Sequence, residues 1–131
     1  MYADDPSLNS HAEQIIGCAF TVANARKTGF AEKVYDNALA HELTKSGLRV
    51  EQQYGVTVYY DGVIVGVYAA DMLVENAVLV ELKAVKALDA AHGAQCLNYL
   101  AATGLRLCLL LNFGNPRIEV KRLINGRLNV G

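Results

Sequence analysis

The sequence carries almost no net charge, because 12 lysine and arginine residues balance 13 aspartate and glutamate residues. Proteins that bind nucleic acids without sequence preference usually present a broad basic surface. This composition provides none, so binding to nucleic acid would have to rest on a local patch, and the charge balance counts against proteins that act on nucleic acids. The apolar fraction of 53% is typical of an ordinary globular protein.

Cysteine is also scarce. The three cysteines, Cys18, Cys96 and Cys108, are odd in number, widely spaced and embedded in apolar runs, which favours small buried thiols over disulfides. Their spacing matches no zinc or iron–sulfur pattern. We therefore expect neither a disulfide framework nor a metal bound by cysteine.

Long apolar segments are missing too. The first ten residues, MYADDPSLNS, are polar and acidic, unlike a secretory signal, and no apolar run approaches the roughly 20 residues that cross a bilayer. We therefore expect a cytoplasmic protein. The sequence shows no repeat, low-complexity segment or linker, and its length suits one domain over residues 1–131.

Three segments show the apolar spacing of helices. The first, SLNSHAEQIIGCAFTVANARKTG, contains a capping-box pattern from Ser10 to Glu13, which predicts the start of a helix there, and it stops at Gly29. The second, FAEKVYDNALAHELTKSG, ends at Gly47, a predicted left-handed cap. The third covers residues 88–103 and is closed by Gly104.

Between the second and third helical segments the apolar period changes to two, which is typical of strands. Asp61-Gly62 separates YGVTVYY from VIVGVYAADMLV and predicts a hairpin, since both turn positions tolerate positive φ. A reversal at VENA leads into VLVELKAV and completes a three-stranded meander. After the third helix, the near-continuous apolar run RLCLLLNFG predicts a strand covered on both faces, and IEVKRLI is a candidate edge strand.

The predicted order is α-α-β-β-β-α-β(-β). It favours an α/β (α+β) fold with a central mixed sheet, made of the antiparallel meander plus a further strand, and flanked by helices.

Three charged residues, Asp71, Glu81 and Lys83, interrupt the apolar strands of the meander. Glu81 and Lys83 are two apart, so a strand projects them on the same face. If Glu75-Asn76-Ala77 forms a three-residue loop, Asp71 lies opposite Glu81 at about 5 Å, where like charges repel unless a cation lies between them. Mg²⁺ suits such a pair. A two-residue turn would put the two acids on opposite faces, and an exposed face neutralised by Lys83 would need no metal.

A family resemblance follows from these residues and the next helix. Asp71, then Glu81-Leu82-Lys83, then Gln95 and Tyr99 spaced as QxxxY, resemble the PD-(D/E)XK nuclease superfamily in its exonuclease-like branch. GFAEKVY, residues 29–35, is similar to the signature of the bacterial GxxExxY proteins, an uncharacterised family placed in that superfamily. The likeness covers about residues 29–122, with Ala70 in place of the proline of the superfamily name.

The resemblance implies a restriction-endonuclease-like core and a metal site. Asp71 and Glu81 would bind Mg²⁺ or Mn²⁺, with the backbone carbonyl of Leu82 as a third ligand. Glu32 would supply an additional acid that binds the metal or orients its water. Lys83 would polarise the attacking water and offset charge on the phosphate.

The implied function is metal-dependent, nuclease-type phosphodiester hydrolysis of DNA or RNA. Gln95 and Tyr99 would position the lysine or contact the phosphate backbone, and Tyr35 would be structural, stacked under the site. The alternative is a catalytically inactive nuclease-fold protein that serves as an oligomeric assembly or nucleic-acid-binding module.

The first helix is apolar around much of its circumference, which fits burial on two sides. One explanation is a partner subunit, which predicts a homo-oligomer and most simply a dimer. The other is that the second helix, or the C-terminal strand, covers the same surface within a monomer.

Overall fold

The computed structural model describes residues 5–26 and 28–126. Its elements follow the predicted order and confirm the predicted fold class. The helices and strands are α1 (Pro6–Arg26), α2 (Glu32–Lys45), β1 (Val50–Tyr60), β2 (Val63–Val74), β3 (Val78–Lys83), α3 (Ala90–Thr103), β4 (Leu107–Asn112) and β5 (Glu119–Ile124).

The five strands form one mixed sheet in the order β1-β2-β3-β4-β5. The first three make the predicted antiparallel meander, and β5 is the predicted edge strand, antiparallel to β4. β4 runs parallel to β3, which is possible because α3 provides the long crossover that parallel neighbours require. Every residue of β4 is buried, as expected for a strand covered on both faces.

Helices cover both faces of the sheet. On one face α1 and α2 pack over a core that contains Leu39 and Leu82. On the other face α3 packs over a second core that contains Leu79 and Leu100. β3 supplies Leu79 to one core and Leu82 to the other, as the alternation of side chains along a strand requires.

The start of α1 differs from the prediction. The helix begins at Pro6 and not at the capping-box pattern of Ser10 and Glu13. The Asp5 carboxylate accepts hydrogen bonds from the amides of the first two residues after Pro6, at 3.0 and 3.1 Å. Aspartate is a strong N-cap and proline suits the first helical position, so this pair starts the helix one turn earlier.

The described part of α1 is covered from one side. Its buried face packs against α2 and β3, whereas Glu13, Gln14 and Phe20 are exposed. Of the explanations that the sequence left open, cover by the second helix is the one that the structure shows. A partner subunit is not needed to bury α1.

Both predicted reversals are present. The Asp61-Gly62 turn has φ values of 54° and 76°, the two positive angles of a type I′ hairpin turn. Val74 pairs with Val78, so the second reversal is the three-residue loop 75–77. The predicted register between β2 and β3 is therefore confirmed.

The β1–β2 hairpin is longer than the rest of the sheet. β1 and β2 have 11 and 12 residues, while β3, β4 and β5 have 6 each. β3 pairs with only the last three residues of β2, Met72–Val74. Most of the hairpin therefore extends past β3, and within the described ranges that part of β2 has β1 on one side and no strand on the other.

Two further expectations concern cysteines and membranes. Cys18, Cys96 and Cys108 are all buried free thiols, as predicted. Among the described helices, none combines the length and the apolar character needed to cross a membrane.

Candidate active site

Asp71 and Glu81 meet where the β2–β3 ladder ends. Backbone pairing between the strands stops at Met72 and Val80. Beyond that point, Glu81 Oε1 accepts a hydrogen bond from the Asp71 amide at 2.7 Å, and Asp71 Oδ2 accepts one from the Leu82 amide at 2.7 Å. The two carboxylates thus replace backbone carbonyls as acceptors, and both are held in the same gap between the strands.

Burial makes the charged form of this pair costly. Glu81 is only 4% exposed, and its desolvation, followed by repulsion from Asp71, raises the pKa of Glu81 to about 7. Desolvation also raises the pKa of Asp71, although the hydrogen bond from the Leu82 amide opposes the change. The pKa of each carboxyl is therefore raised most by the loss of water around it.

Each carboxylate keeps one oxygen available. Asp71 Oδ1 and Glu81 Oε2 accept no hydrogen bond from the part of the chain that the structure describes. Two facing carboxylates with an available oxygen each, and with mutual repulsion, form a donor set that fits a divalent cation.

Glu32 lies at the edge of this site. It is the first residue of α2 and is exposed. Partial burial raises the pKa of Glu32, with a further contribution from the charge of Asp71 and an opposing one from Lys83. Within the described ranges no three His, Cys, Asp or Glu side chains are grouped closely enough to hold an ion together. The carboxylates that the fold brings into contact are therefore Asp71 and Glu81.

A further carboxylate near the site was missed by the sequence analysis. Asp36 is 2% exposed, accepts a hydrogen bond from Gln52 Nε2 at 3.0 Å, and lies 3.4 Å from Lys33 Nζ. Its charge contributes to the raised pKa of both Glu32 and Asp71, so it acts on the site. The i,i+4 spacing of Glu32 and Asp36 on α2 was the available signal.

Lys83 is placed close to the acids by the end of β3. Its side chain is half-buried, and its charge lowers the pKa of the Asp71–Glu81 pair and of Glu32. Its backbone is fixed because its carbonyl accepts a hydrogen bond from the Phe113 amide at 2.8 Å. The charge of Lys83 therefore acts on all three carboxylates from a side chain whose backbone position is fixed.

Asn112 holds the chain that follows Lys83. Its side-chain amide donates to the Val85 carbonyl at 2.9 Å and to Glu119 at 2.7 Å, and its oxygen accepts from the Val85 amide at 3.0 Å. Gly114 lies so close that a β-carbon there would overlap the Val85 carbonyl. The end of β4 thus fixes the direction in which the chain leaves β3.

Gln95 and Tyr99 share one side of α3, as predicted. Gln95 Nε2 donates a hydrogen bond to Tyr99 Oη at 3.1 Å. Burial raises the pKa of Tyr99, and the charges of Glu81 and Asp71 raise it further. The phenol therefore lies within the electrostatic field of the two acids, and α3 forms a polar wall of the site.

Tyr35 and His92 have structural contacts. The buried Tyr35 ring stacks on Phe113 with a centroid distance of 4.8 Å, as its predicted structural role requires. His92 and Asp89 form a capping box at the N-terminus of α3. The His92 amide donates a hydrogen bond to the Asp89 carboxylate, and His92 Nδ1 accepts one from the Asp89 amide.

Comparison with known proteins identifies the family of the chain. The family model described as "PD-(D/E)XK nuclease superfamily" matches residues 9–123, most of the chain. The chain belongs to the PD-(D/E)XK nuclease superfamily. Nucleases of this superfamily generally use divalent metal ions. No curated protein is similar enough to the chain to count as a match.

Two solved structures share the superfamily fold. The crystal structure of SSO0001 has a TM-score of 0.52 and 17% identity, and the match covers 70% of this chain and 48% of that one, about half its length. An alkaline exonuclease (LHK-Exo) from Laribacter hongkongensis has a TM-score of 0.51 and 14% identity, covering 85% of this chain and 78% of that one. At these identities the likeness shows a restriction-endonuclease-like fold.

Proposed function

We propose that the protein is a metal-dependent phosphodiesterase of the nuclease type, acting on DNA or RNA through metal-assisted attack of water. The observation that carries this proposal is the pair of facing carboxylates, Asp71 and Glu81, each with an oxygen that the described chain leaves available. Membership of a nuclease superfamily supports it, as does the likeness to an exonuclease fold.

The proposal includes a finer family and the extent of the domain. Gly29, Glu32 and Tyr35 stand at the spacing of the GxxExxY signature, which supports assignment to that family. We take residues 1–131 as one nuclease-like domain.

Asp71 and Glu81 would hold the ion, Mg²⁺ or Mn²⁺, with the Leu82 carbonyl as a third ligand. A divalent ion bound there would supply Lewis acidity, lowering the pKa of a bound water and offsetting phosphate charge. The raised pKa values of the two carboxyls, caused mainly by desolvation, are consistent with this role, because a bound cation would favour their charged forms.

The other residues would act on the substrate directly. Lys83 would direct its ammonium group to the phosphate oxygens and stabilise the charge that develops during attack. Glu32, exposed at the start of α2, would orient the attacking water and accept its proton. Gln95 and Tyr99 would donate hydrogen bonds to the phosphate backbone from α3.

A second function is favoured by a different observation. The chain has a formal net charge of −1 and bears a large exposed apolar hairpin, which suits an inactive nuclease-fold module used for assembly. In that case the carboxylate pair would serve only to complete the β2–β3 pairing.

A cleavage and metal-binding assay separates the two functions. We expect cleavage of single- or double-stranded DNA or RNA with Mg²⁺ or Mn²⁺, loss of cleavage in chelator, and Mn²⁺ binding by calorimetry. Asp71→Asn should abolish both readouts, because it removes the charge while keeping an acceptor for the Leu82 amide. Asp61→Asn, at the exposed hairpin turn, is the matched control and should leave both unchanged. Inactivity on every substrate with both metals would favour the assembly module.

A further inference from the structure

The extended part of the β1–β2 hairpin carries most of the exposed apolar surface. Of the eleven large apolar side chains exposed within the described residues, seven lie between positions 59 and 68 and are 53–75% exposed. These seven, which we call the hairpin patch, are Tyr59, Tyr60, Val63, Ile64, Val65, Val67 and Tyr68.

The hairpin patch covers both faces of the hairpin, because side chains alternate along each strand. Its exposed fractions correspond to roughly 800 Å² of residue surface, summed over the two faces and given the size of aromatic and aliphatic residues. A standard protein interface takes about 800 Å² from each partner, so the hairpin patch is large enough to supply one side of a stable dimer when the partner contacts both faces.

The charge distribution argues against a nucleic acid on this surface. Residues 52–70 contain a single charged side chain, and it is the acidic Asp61. The facing helix, residues 90–103, contains no lysine or arginine. Nucleic acids are held largely by cations at their phosphates, whereas the centres of protein interfaces are poor in charge and rich in tyrosine.

A concave surface adjoins the hairpin patch. A groove of about 790 Å³ runs between the hairpin and α3. The rings of Tyr68 and Tyr99 lie in it with centroids 6.1 Å apart. The Tyr68 ring lies over Gly66, where a β-carbon would come within 3.0 Å of it. The wall on α3 includes four small residues, Ala91, Ala94, Ala101 and Ala102.

The strand edges of the hairpin are open, apart from a register shift between Val58 and Tyr59. β1 is an edge strand of the sheet, and β2 has no described strand on its other side before Met72. Neither β1 nor β2 contains lysine or proline, the residues that usually block pairing at an exposed edge. The unpaired backbone groups of one edge can form hydrogen bonds with the same edge of a second copy across a twofold axis, because such an interface uses the same surface twice.

We infer that two copies of this chain dock through the hairpin patch and form a twofold dimer, each hairpin lying against the hairpin and the groove of the other copy. The area, the lack of charge, the adjoining groove and the open strand edges all fit this occupant. The interface is distinct from the first-helix contact considered from the sequence. Because Gln95 and Tyr99 line the groove, the second copy would border each candidate active site.

Light scattering at micromolar concentration tests this dimer. The wild-type chain should have a mass of about 28 kDa, twice its 14.2 kDa. The double variant Ile64→Thr/Val67→Thr keeps β-branched side chains in the strand but makes them more polar, and it should shift the mass to 14.2 kDa. Phe20→Gln, at an exposed site on α1, is the control and should remain dimeric. Circular dichroism should show the same fold in all three proteins.

Hydrogen exchange supplies a test without substitutions. In the wild-type protein, amides of residues 58–68 should lose protection on dilution. A wild-type mass of 14.2 kDa at all micromolar concentrations, or a folded double variant that remains dimeric, would overturn the inference. So would exchange that is independent of concentration, or dissociation by Phe20→Gln alone, which would assign the contact to α1.

Discussion

Glu81 carries the largest electrostatic cost among the residues of the site. Burial and the charge of Asp71 raise the pKa of Glu81 from 4.5 to about 7. Between these two values the folded chain binds more protons than the unfolded chain, so the metal-free protein should lose stability as the pH rises through this interval. The full loss, reached above about pH 7, is on the order of 3 kcal/mol.

Replacing Glu81 by glutamine should remove this dependence. In chelator at about pH 8, Glu81→Gln should raise the thermal midpoint by several degrees, because the buried charge of Glu81 is removed. At about pH 5 the gain should largely disappear, since most of the wild-type Glu81 is then protonated in the folded state. Thermal unfolding at both pH values measures the effect, with the exposed Glu13→Gln as control. An equal gain at both pH values would contradict the explanation.

Lys83 should matter for turnover more than for folding. In the proposed mechanism Lys83→Ala removes the cation that would face the phosphate, so it should lower kcat by about 10²–10³. The circular dichroism spectrum should be unchanged, because the backbone contact to Phe113 does not use the side chain. The exposed Lys86→Ala is the matched control. Retention of activity within about tenfold would remove Lys83 from the proposed mechanism.

Where side chains follow a strand or helix period, the sequence was sufficient to predict which of them share a side. Strand alternation and helical i,i+4 spacing depend on near neighbours, and they predicted which of these side chains share a side: Glu81 with Lys83, and Gln95 with Tyr99. Asp36 and Asn112 were missed because their partners are distant in the chain. Gln52 is 16 residues from Asp36, and Val85 is 27 residues from Asn112.

At the scale of elements, the end of β4 acts on the site through its hydrogen bonds to Lys83 and Val85. Asn112→Ala removes hydrogen bonds to both backbone groups of Val85 and leaves these groups without their partner. We expect a loss of about 2–4 kcal/mol in the free energy of unfolding. Turnover should also fall, because Lys83 is then held less firmly. Mn²⁺ affinity should change little, since the proposed ligands lie on β2 and β3.

Urea unfolding and calorimetry test this prediction, with the exposed Asn98→Ala on α3 as control. If Asn112→Ala loses Mn²⁺ affinity in proportion to turnover while it is still folded, its role extends to the carboxylates themselves.

At the element scale, the types and order of the helices and strands could be predicted, but the start of α1 could not. The spacing of apolar residues changes from a helical period to a period of two. This change depends on many residues, and it was enough to predict the type and order of every helix and strand. The start of α1 depends on a single carboxylate. Both Asp5-Pro6 and Ser10-x-x-Glu13 are start signals, and only the amides that Asp5 reaches in the folded chain decide between them.

For the whole molecule, the charge balance limits how strongly nucleic acid can be held. Lys33 and Lys83 are the cations whose charges act on Asp71. With two phosphate contacts, the logarithm of the duplex affinity should fall with the logarithm of salt concentration at a slope near −2. Fluorescence anisotropy with the silenced Asp71→Asn protein measures this slope. A slope steeper than about −5 would show a basic surface elsewhere.

The long hairpin shows what sequence could not predict at this scale. The strand lengths were visible, but their exposure was not, since exposure depends on β3 pairing with only Met72–Val74 of β2. An apolar strand that projects past its sheet has the same composition as one buried inside it.

The three-residue loop after β2 has a consequence for how related sequences can vary in length. A change of one residue in loop 75–77 would shift the register and turn Asp71 away from Glu81. The loop is also tied to the start of β1, because Glu75 accepts a hydrogen bond from the Arg49 amide at 2.6 Å. No such limit applies at Asp61-Gly62, where added pairs of residues only lengthen the hairpin. In an alignment of relatives that keep both acids, insertions and deletions should therefore occur at the hairpin tip and be absent from 75–77.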